Sequence, residues 1–209
     1  MPPPLLASEE ELKDYLQLSD PLTPGPARLA LRLASAAVRR HTRQMISFVA
    51  GETITIMGGE RVLRLPQRPV VVDADNPLTV VELVDASGLE ISAVVDQDFL
   101  RYGSELHRGA AWPTSRLQGW PRRHPIGIWA DRVRVTYSHG YAEIPDEIVG
   151  IVLDLAAASM SNPRRIRSEA SGAVSVTYTV ETFGTGSLTA DHRSILRDFK
   201  RSTLSVRLS

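Results

Sequence analysis

Hydrophobic spacing switches between helical and alternating periods along this chain, and that limits the folds open to it. Up to about residue 45 the apolar residues recur at helical spacing. From Thr53 to Tyr137 they alternate, and from Pro145 they return to helical spacing. Strands run together between two helical stretches build an α+β fold. The expected architecture is a small helical bundle carrying a large β-rich insertion. The bundle is made of N-terminal helices, an Ala-rich helix and a C-terminal helix. The 209 residues read as a single domain: helices over 8–45, the insertion over 53–137, a central helix over 145–162, a strand and helix over 173–201, and a tail over 202–209.

Local signals fill in this plan. Ser8 with Glu11 has the spacing of a capping box, and Leu12, Tyr15 and Leu16 form a short apolar stripe that Asp20-Pro21 ends. Pro24-Gly25-Pro26 is a turn into a helix running to about Gln44. On that helix Arg28, Arg32, Arg39 and Arg43 fall in one sector, with Ala30, Leu31, Ala34, Ala37 and Val38 opposite. Gly58-Gly59 is expected to turn a hairpin between Thr53–Met57 and Arg61–Leu65. Further strands are expected over 78–84, 89–95 and 132–137, a strand or hairpin over 99–112 with a turn at Gly103-Ser104, and an ordered loop over 112–125. The helix after Pro145 is apolar nearly all round, which marks a buried or interface helix. Arg164 to Ser171 is polar and basic, Ala173 to Val180 alternates as a strand, and Thr189 can cap a last helix carrying Ile195, Leu196 and Phe199.

Lys+Arg and Asp+Glu are both 24, so the formal net charge is zero. Proteins whose main task is coating nucleic acid are usually basic, and this chain is not. The charge is nonetheless segregated. Residues 28–43 hold five arginines and no acid, residues 70–100 hold seven acids and no base, and residues 107–134 hold six arginines against Asp131. Oppositely charged faces suit head-to-tail packing of identical subunits, and solvated loops are the plain alternative. The N-terminus reads as neither a signal peptide nor a targeting helix, and no apolar run is long enough to span a membrane. The expected compartment is the cytoplasm or a particle assembled there.

Catalytic chemistry is not legible. There is no cysteine, which excludes disulfides, thiolate metal ligands and a thiol nucleophile. The five histidines, His41, His107, His124, His139 and His192, show no metal-ligand spacing, so no metal site and no cofactor is expected. Asp96 and Asp98 share a strand face, and Tyr137, His139 and Tyr141 cluster in sequence. A solvated acidic face and a packed strand end account for both. No nucleophile, base and orienting group can be assembled from neighbouring residues, and the chain is not expected to be an enzyme.

The run Val135-Thr136-Tyr137-Ser138-His139-Gly140-Tyr141, followed by Ile144-Pro145-Asp146-Glu147-Ile148 and an Ala-rich helix, resembles the head–tail connector proteins, or head-to-tail adaptors, of long-tailed bacteriophages. Other pieces match in order: the acidic first helix, the Arg/Ala helix, Leu65-Pro66-Gln67-Arg68-Pro69-Val70, Trp120 and Trp129, and Leu188-Thr189-Ala190-Asp191-His192 with Leu196 and Phe199. The resemblance implies a structural protein of the virion head–tail junction. It would dock on the portal protein as a ring, usually a dodecamer, extend the channel for packaged DNA and carry the stopper and tail. Within that expectation, Arg28, Arg32, Arg39, Arg43, Arg193, Arg197, Lys200 and Arg201 are candidates for the portal or subunit interface. Arg164, Arg165 and Arg167 are candidates to face the channel or a neighbour. Another neck protein (a stopper or tail-completion protein), or a DNA-binding protein using the Arg28–Arg43 helix, are the alternatives. A prophage or a gene transfer particle could equally carry such a chain.

Overall fold

The structure is a computed structural model that describes residues 3–84, 89–108, 127–161, 168–171, 174–177 and 188–200. The expected loop at 112–125, the basic stretch Arg164, Arg165 and Arg167, and the tail from Arg201 onward lie outside the described residues. The chain divides into two compact units. One is Met1–Ser47 with Ala142–Ser209, and the other is Phe48–Tyr141. The fold is α+β, with four described helices beside antiparallel sheets.

In the helical unit, α1 is Glu9–Tyr15, α2 Pro24–Thr42, α3 Asp146–Ser161 and α4 Ala190–Ile195. The α1 start is the expected capping box: the Glu11 amide donates to Ser8 Oγ at 3.1 Å, and the Ser8 amide donates to Glu11 Oε2 at 2.6 Å. Proline at its N-terminus opens α2 without losing a helical hydrogen bond. Ala27, Ala30, Leu31, Ala34 and Val38 form its buried face. The small residues let α2 lie close against α3, and α1 packs on both. Ile148, Ile151, Val152, Leu153, Leu155 and Ala156 of α3 are buried. Thr189 caps α4 by accepting from the His192 amide at 3.1 Å, and Leu196 just beyond it is fully buried. Part of the expected polar segment is a strand: β9 (Ser168–Ser171) pairs antiparallel with β10 (Val174–Thr177).

The described secondary structure of the second unit is all β. Its strands are β1 (Val49–Met57), β2 (Val62–Arg64), β3 (Val70–Val71), β4 (Thr79–Leu83), β5 (Glu90–Ala93), β6 (Phe99–Tyr102), β7 (Glu105–Arg108) and β8 (Arg132–His139). One sheet runs β1-β8-β4-β5, with β3 also paired to β8, and the other runs β2-β7-β6. Strand β8 is the spine of the larger sheet. Its Val133, Val135 and Tyr137 are fully buried on one face, as its alternation requires, while Arg134 on the other face reaches Glu90 at 2.9 Å. Leu63, Leu65, Phe99, Leu106 and Trp129 complete the core with Val80.

The Gly58-Gly59 hairpin does not form. Strand β1 pairs with β8, and β2 crosses to the other sheet to pair with β7. The reason lies far off in sequence. The Gly58 amide donates to the Asp131 carbonyl at 2.8 Å and the Gly59 amide to the Trp129 carbonyl at 3.1 Å. A Cβ on Gly58 would stand 1.9 Å from the Ala130 carbonyl oxygen, so only glycine allows the approach, and Gly59 supplies a φ of 83° for the crossover.

Candidate interaction surfaces

The arginine sector of α2 is not one continuous face. Arg32 and Arg40 are exposed, beside the exposed Leu29 and Leu33. Arg39 turns inward and is half-buried. Its Nε donates to the Met45 carbonyl at 2.9 Å, and its Nη2 donates to the Pro4 carbonyl and to Ser47 Oγ. Its guanidinium thereby clamps the N-terminal segment and the chain leaving α2 to the helix itself. Arg43 sits past the helix end in the left-handed conformation, with a φ of 57°. Arg28 lies at the other end of α2 and faces acids.

Those acids line a cleft of about 610 Å³ in the helical unit. Leu5, Leu6, Ile144 and Val149 give it apolar walls. Glu9, Glu11, Glu143 and Asp146 supply carboxylates, and Arg28 is the one cation among its described lining residues. The acids belong to the first turns of α1 and α3 and to the residues just before α3, where helix dipoles favour negative charge. The surface is therefore acidic and partly apolar.

The far end of α2 has the opposite sign. His41 is pushed below its ordinary imidazole range first by burial, then by the Lys200 and Arg193 charges beside it. Arg40 and Arg43 flank it in sequence, and Arg193 and Arg197 are exposed. Segment α4 is held there by Leu196 and by His192 Nε2, 3.3 Å from Asp154 Oδ2 of α3. Asp154 also faces Tyr15 of α1. Burial first, then that carboxylate, raises the phenol above its ordinary range. The structure thus gathers Arg193 and Lys200 at the C-terminal end of α2 and separates them from Arg28.

In the β unit the motifs weighed for chemistry serve packing. Tyr137 and His139 are buried with their rings 5.2 Å apart. The tyrosine hydroxyl accepts from the Gln67 amide at 3.3 Å, and His139 Nε2 stands 2.7 Å from Glu52 Oε2. Asp98 Oδ2 accepts from the Val94 amide at 2.8 Å and Asp96 has a φ of 64°, so this acid pair shapes a turn. Sequence reasoning missed one feature. Glu82 and Arg108 form an ion pair of 2.8 Å in the core, with Arg108 stacked 5.3 Å from the Trp129 ring centroid. The available signal was that Glu82 shares a strand face with Val80, an inward position. Among the described residues no group of three or more His, Asp or Glu could hold a metal ion, and no helix is long and apolar enough to cross a membrane.

Comparison with known proteins gives a fold. No family profile matches the chain, and no curated protein matches it. Among solved structures it is similar to a chain of the neck of an empty GTA (gene transfer agent) particle, computed with C6 symmetry. The two are 20% identical with a TM-score of 0.53, and the match covers 95% of this chain and 91% of that one. At this identity the likeness is one of fold, and the matched span includes residues of both units.

Proposed function

We propose that this chain is a structural neck protein of a phage or phage-like particle, and within the neck a head-to-tail adaptor. The observation that carries the proposal is the near end-to-end match to a chain of a particle neck. The ordered motifs from Ser8 to Arg201 that resemble the adaptors support the finer reading. In this reading the chain docks as a ring on the portal, extends the DNA channel and carries the stopper. The six-fold symmetry of the similar neck is compatible with six or twelve copies. The working parts are surfaces rather than a catalytic pocket: an acidic cleft, a cationic end and exposed leucines on α2. Arg28, Arg32, Arg43, Arg193, Arg197, Lys200 and Arg201 remain the proposed interface cations, while Arg39 is engaged within its own chain. Arg164, Arg165 and Arg167 are proposed to face the channel or a neighbour.

The test is deletion of the gene in its phage, prophage or gene transfer cluster, followed by electron microscopy. DNA-filled heads without tails, beside complete free tails, are the expected result. Normal tailed particles would refute the neck role. Tailed particles that leak DNA would refute the adaptor assignment while keeping a neck role.

A further inference from the structure

The helical unit is electrically polar along α2. Its N-terminal end carries the cleft, with four carboxylates against one guanidinium and apolar walls from Leu5, Ile144 and Val149. Its C-terminal end carries Arg193 and Lys200 beside His41, with Arg40 and Arg43 flanking that histidine in sequence and Arg197 on the same segment as Arg193 and Lys200. Asp191 and Asp198 lie on the same segment as the last three, and the end stays cationic once Arg40 and Arg43 are counted. Arg28 and His41 are thirteen positions apart on one unbroken helix, which is about 20 Å. The α4 cluster is held at its end by buried Leu196 and by His192 against Asp154, so it cannot fill the cleft of its own chain.

We propose that the acidic cleft receives the cationic α4 end of a second copy of this chain. The contact joins two different patches and is therefore heterologous. Repetition of such a contact closes a ring when its rotation closes, and otherwise grows a filament. The proposal deepens the neck reading by naming the contact between ring neighbours. Arg28 lines the cleft as the one cation among its described residues, so the cleft keeps an excess of carboxylates for the incoming cations. Charge complementarity of this kind sets register and speeds association, and it weakens with salt.

The test uses the full chain. Lys13 and Lys200 are its only lysines, so a carbodiimide that joins amines to carboxylates without a spacer has few possible products. Isotope-labelled and unlabelled protein are mixed equally and cross-linked at low ionic strength and high protein concentration. The expected products are mixed-isotope peptides joining Lys200 to Glu143, Glu11 or Asp146, lost when salt is raised. Links confined to one isotope type would mean that the chain covers its own cleft, and no such link at all would mean that the surfaces do not meet. Either result overturns the proposal.

A second measurement guards against misfolded variants. Arg193→Glu with Arg197→Glu, and separately Glu143→Lys with Asp146→Lys, are each checked for fold by circular dichroism. Each alone is expected to lose self-association in sedimentation. Their equimolar mixture is expected to regain it, because each variant then offers the other a complementary patch on both sides. Folded variants whose mixture stays dissociated refute the contact. The neck role is judged separately by particle morphology, so tailless particles with no mixed-isotope link would sink this contact and leave the neck reading standing.

Discussion

Replacing Arg108 by Met should destabilise the β unit by about 3–5 kcal/mol, the cost of stranding one charge of a buried pair. The Glu82 side chain is 0% exposed and that of Arg108 5%, so water does not screen their 2.8 Å contact and the small values of surface ion pairs do not apply. Methionine keeps most of the volume beside Trp129 but removes the cation, along with its donation to the Asp98 carbonyl at 3.1 Å. Glu82 would lose its guanidinium partner and keep the Ala130 amide at 3.0 Å. Whole domains are stable by about 5–15 kcal/mol, so such a loss is a large share of the total. The charge can be separated from the packing with a second variant. Glu82→Gln in the Arg108→Met background still accepts from the Ala130 amide and removes the stranded charge. It should recover stability to within about 1–2 kcal/mol of the parent. The assay is urea unfolding followed by circular dichroism, with the slope checked for constancy. If the single and double variants lose the same amount, packing and not buried charge holds this site, and the reasoning fails.

Other positions give cleaner single outcomes. Gly58→Ala should cost about 1–3 kcal/mol or more by the same assay, because its Cβ would meet the Ala130 carbonyl oxygen at 1.9 Å and one backbone segment must move. Arg39→Ala should cost about 1.5–3 kcal/mol through its hydrogen bonds to the Met45 and Pro4 carbonyls, and Arg39→Lys should not restore it, since an ammonium lacks the planar fork. Faster amide exchange in the N-terminal segment would report the released clamp. Glu105 is held below the ordinary carboxylate range, first by Arg64 at 2.8 Å and then by His107 at 3.1 Å. A depressed carboxyl stabilises above its unfolded value and loses that contribution as pH falls through its folded one. Glu105→Gln should therefore cost under about 1 kcal/mol at neutral pH, a partly exposed pair being worth little, and nothing once acid has protonated the parent. A cost that persists in acid would refute the charge assignment.

What could be read from the sequence was local. The β8 alternation needs only its own residues: Val133, Val135 and Tyr137 go inward because a strand puts every second side chain on one face. The capping box at Ser8 and the Thr189 cap are equally self-contained. At Gly58-Gly59 hairpin and crossover share the same local chemistry, and the Ala130 carbonyl decides between them. Arg39 shares its helical sector with Arg32, yet its guanidinium meets carbonyls of segments that a helical projection does not contain. Glu82 and Arg108 belong to an acidic and a basic block in sequence, and the fold cancels them against each other inside the core. Segregation along the chain therefore overstates segregation on the surface. The separation that survives runs from the cleft by Arg28 to the cluster by His41. Reversing a charge there should leave folding nearly unchanged and alter association, whereas disrupting the Glu82–Arg108 pair should act on folding first. A variant set that showed the same dependence at both sites would mean that the exposed charges are structural, and the polar axis of the helical unit would then carry no assembly role.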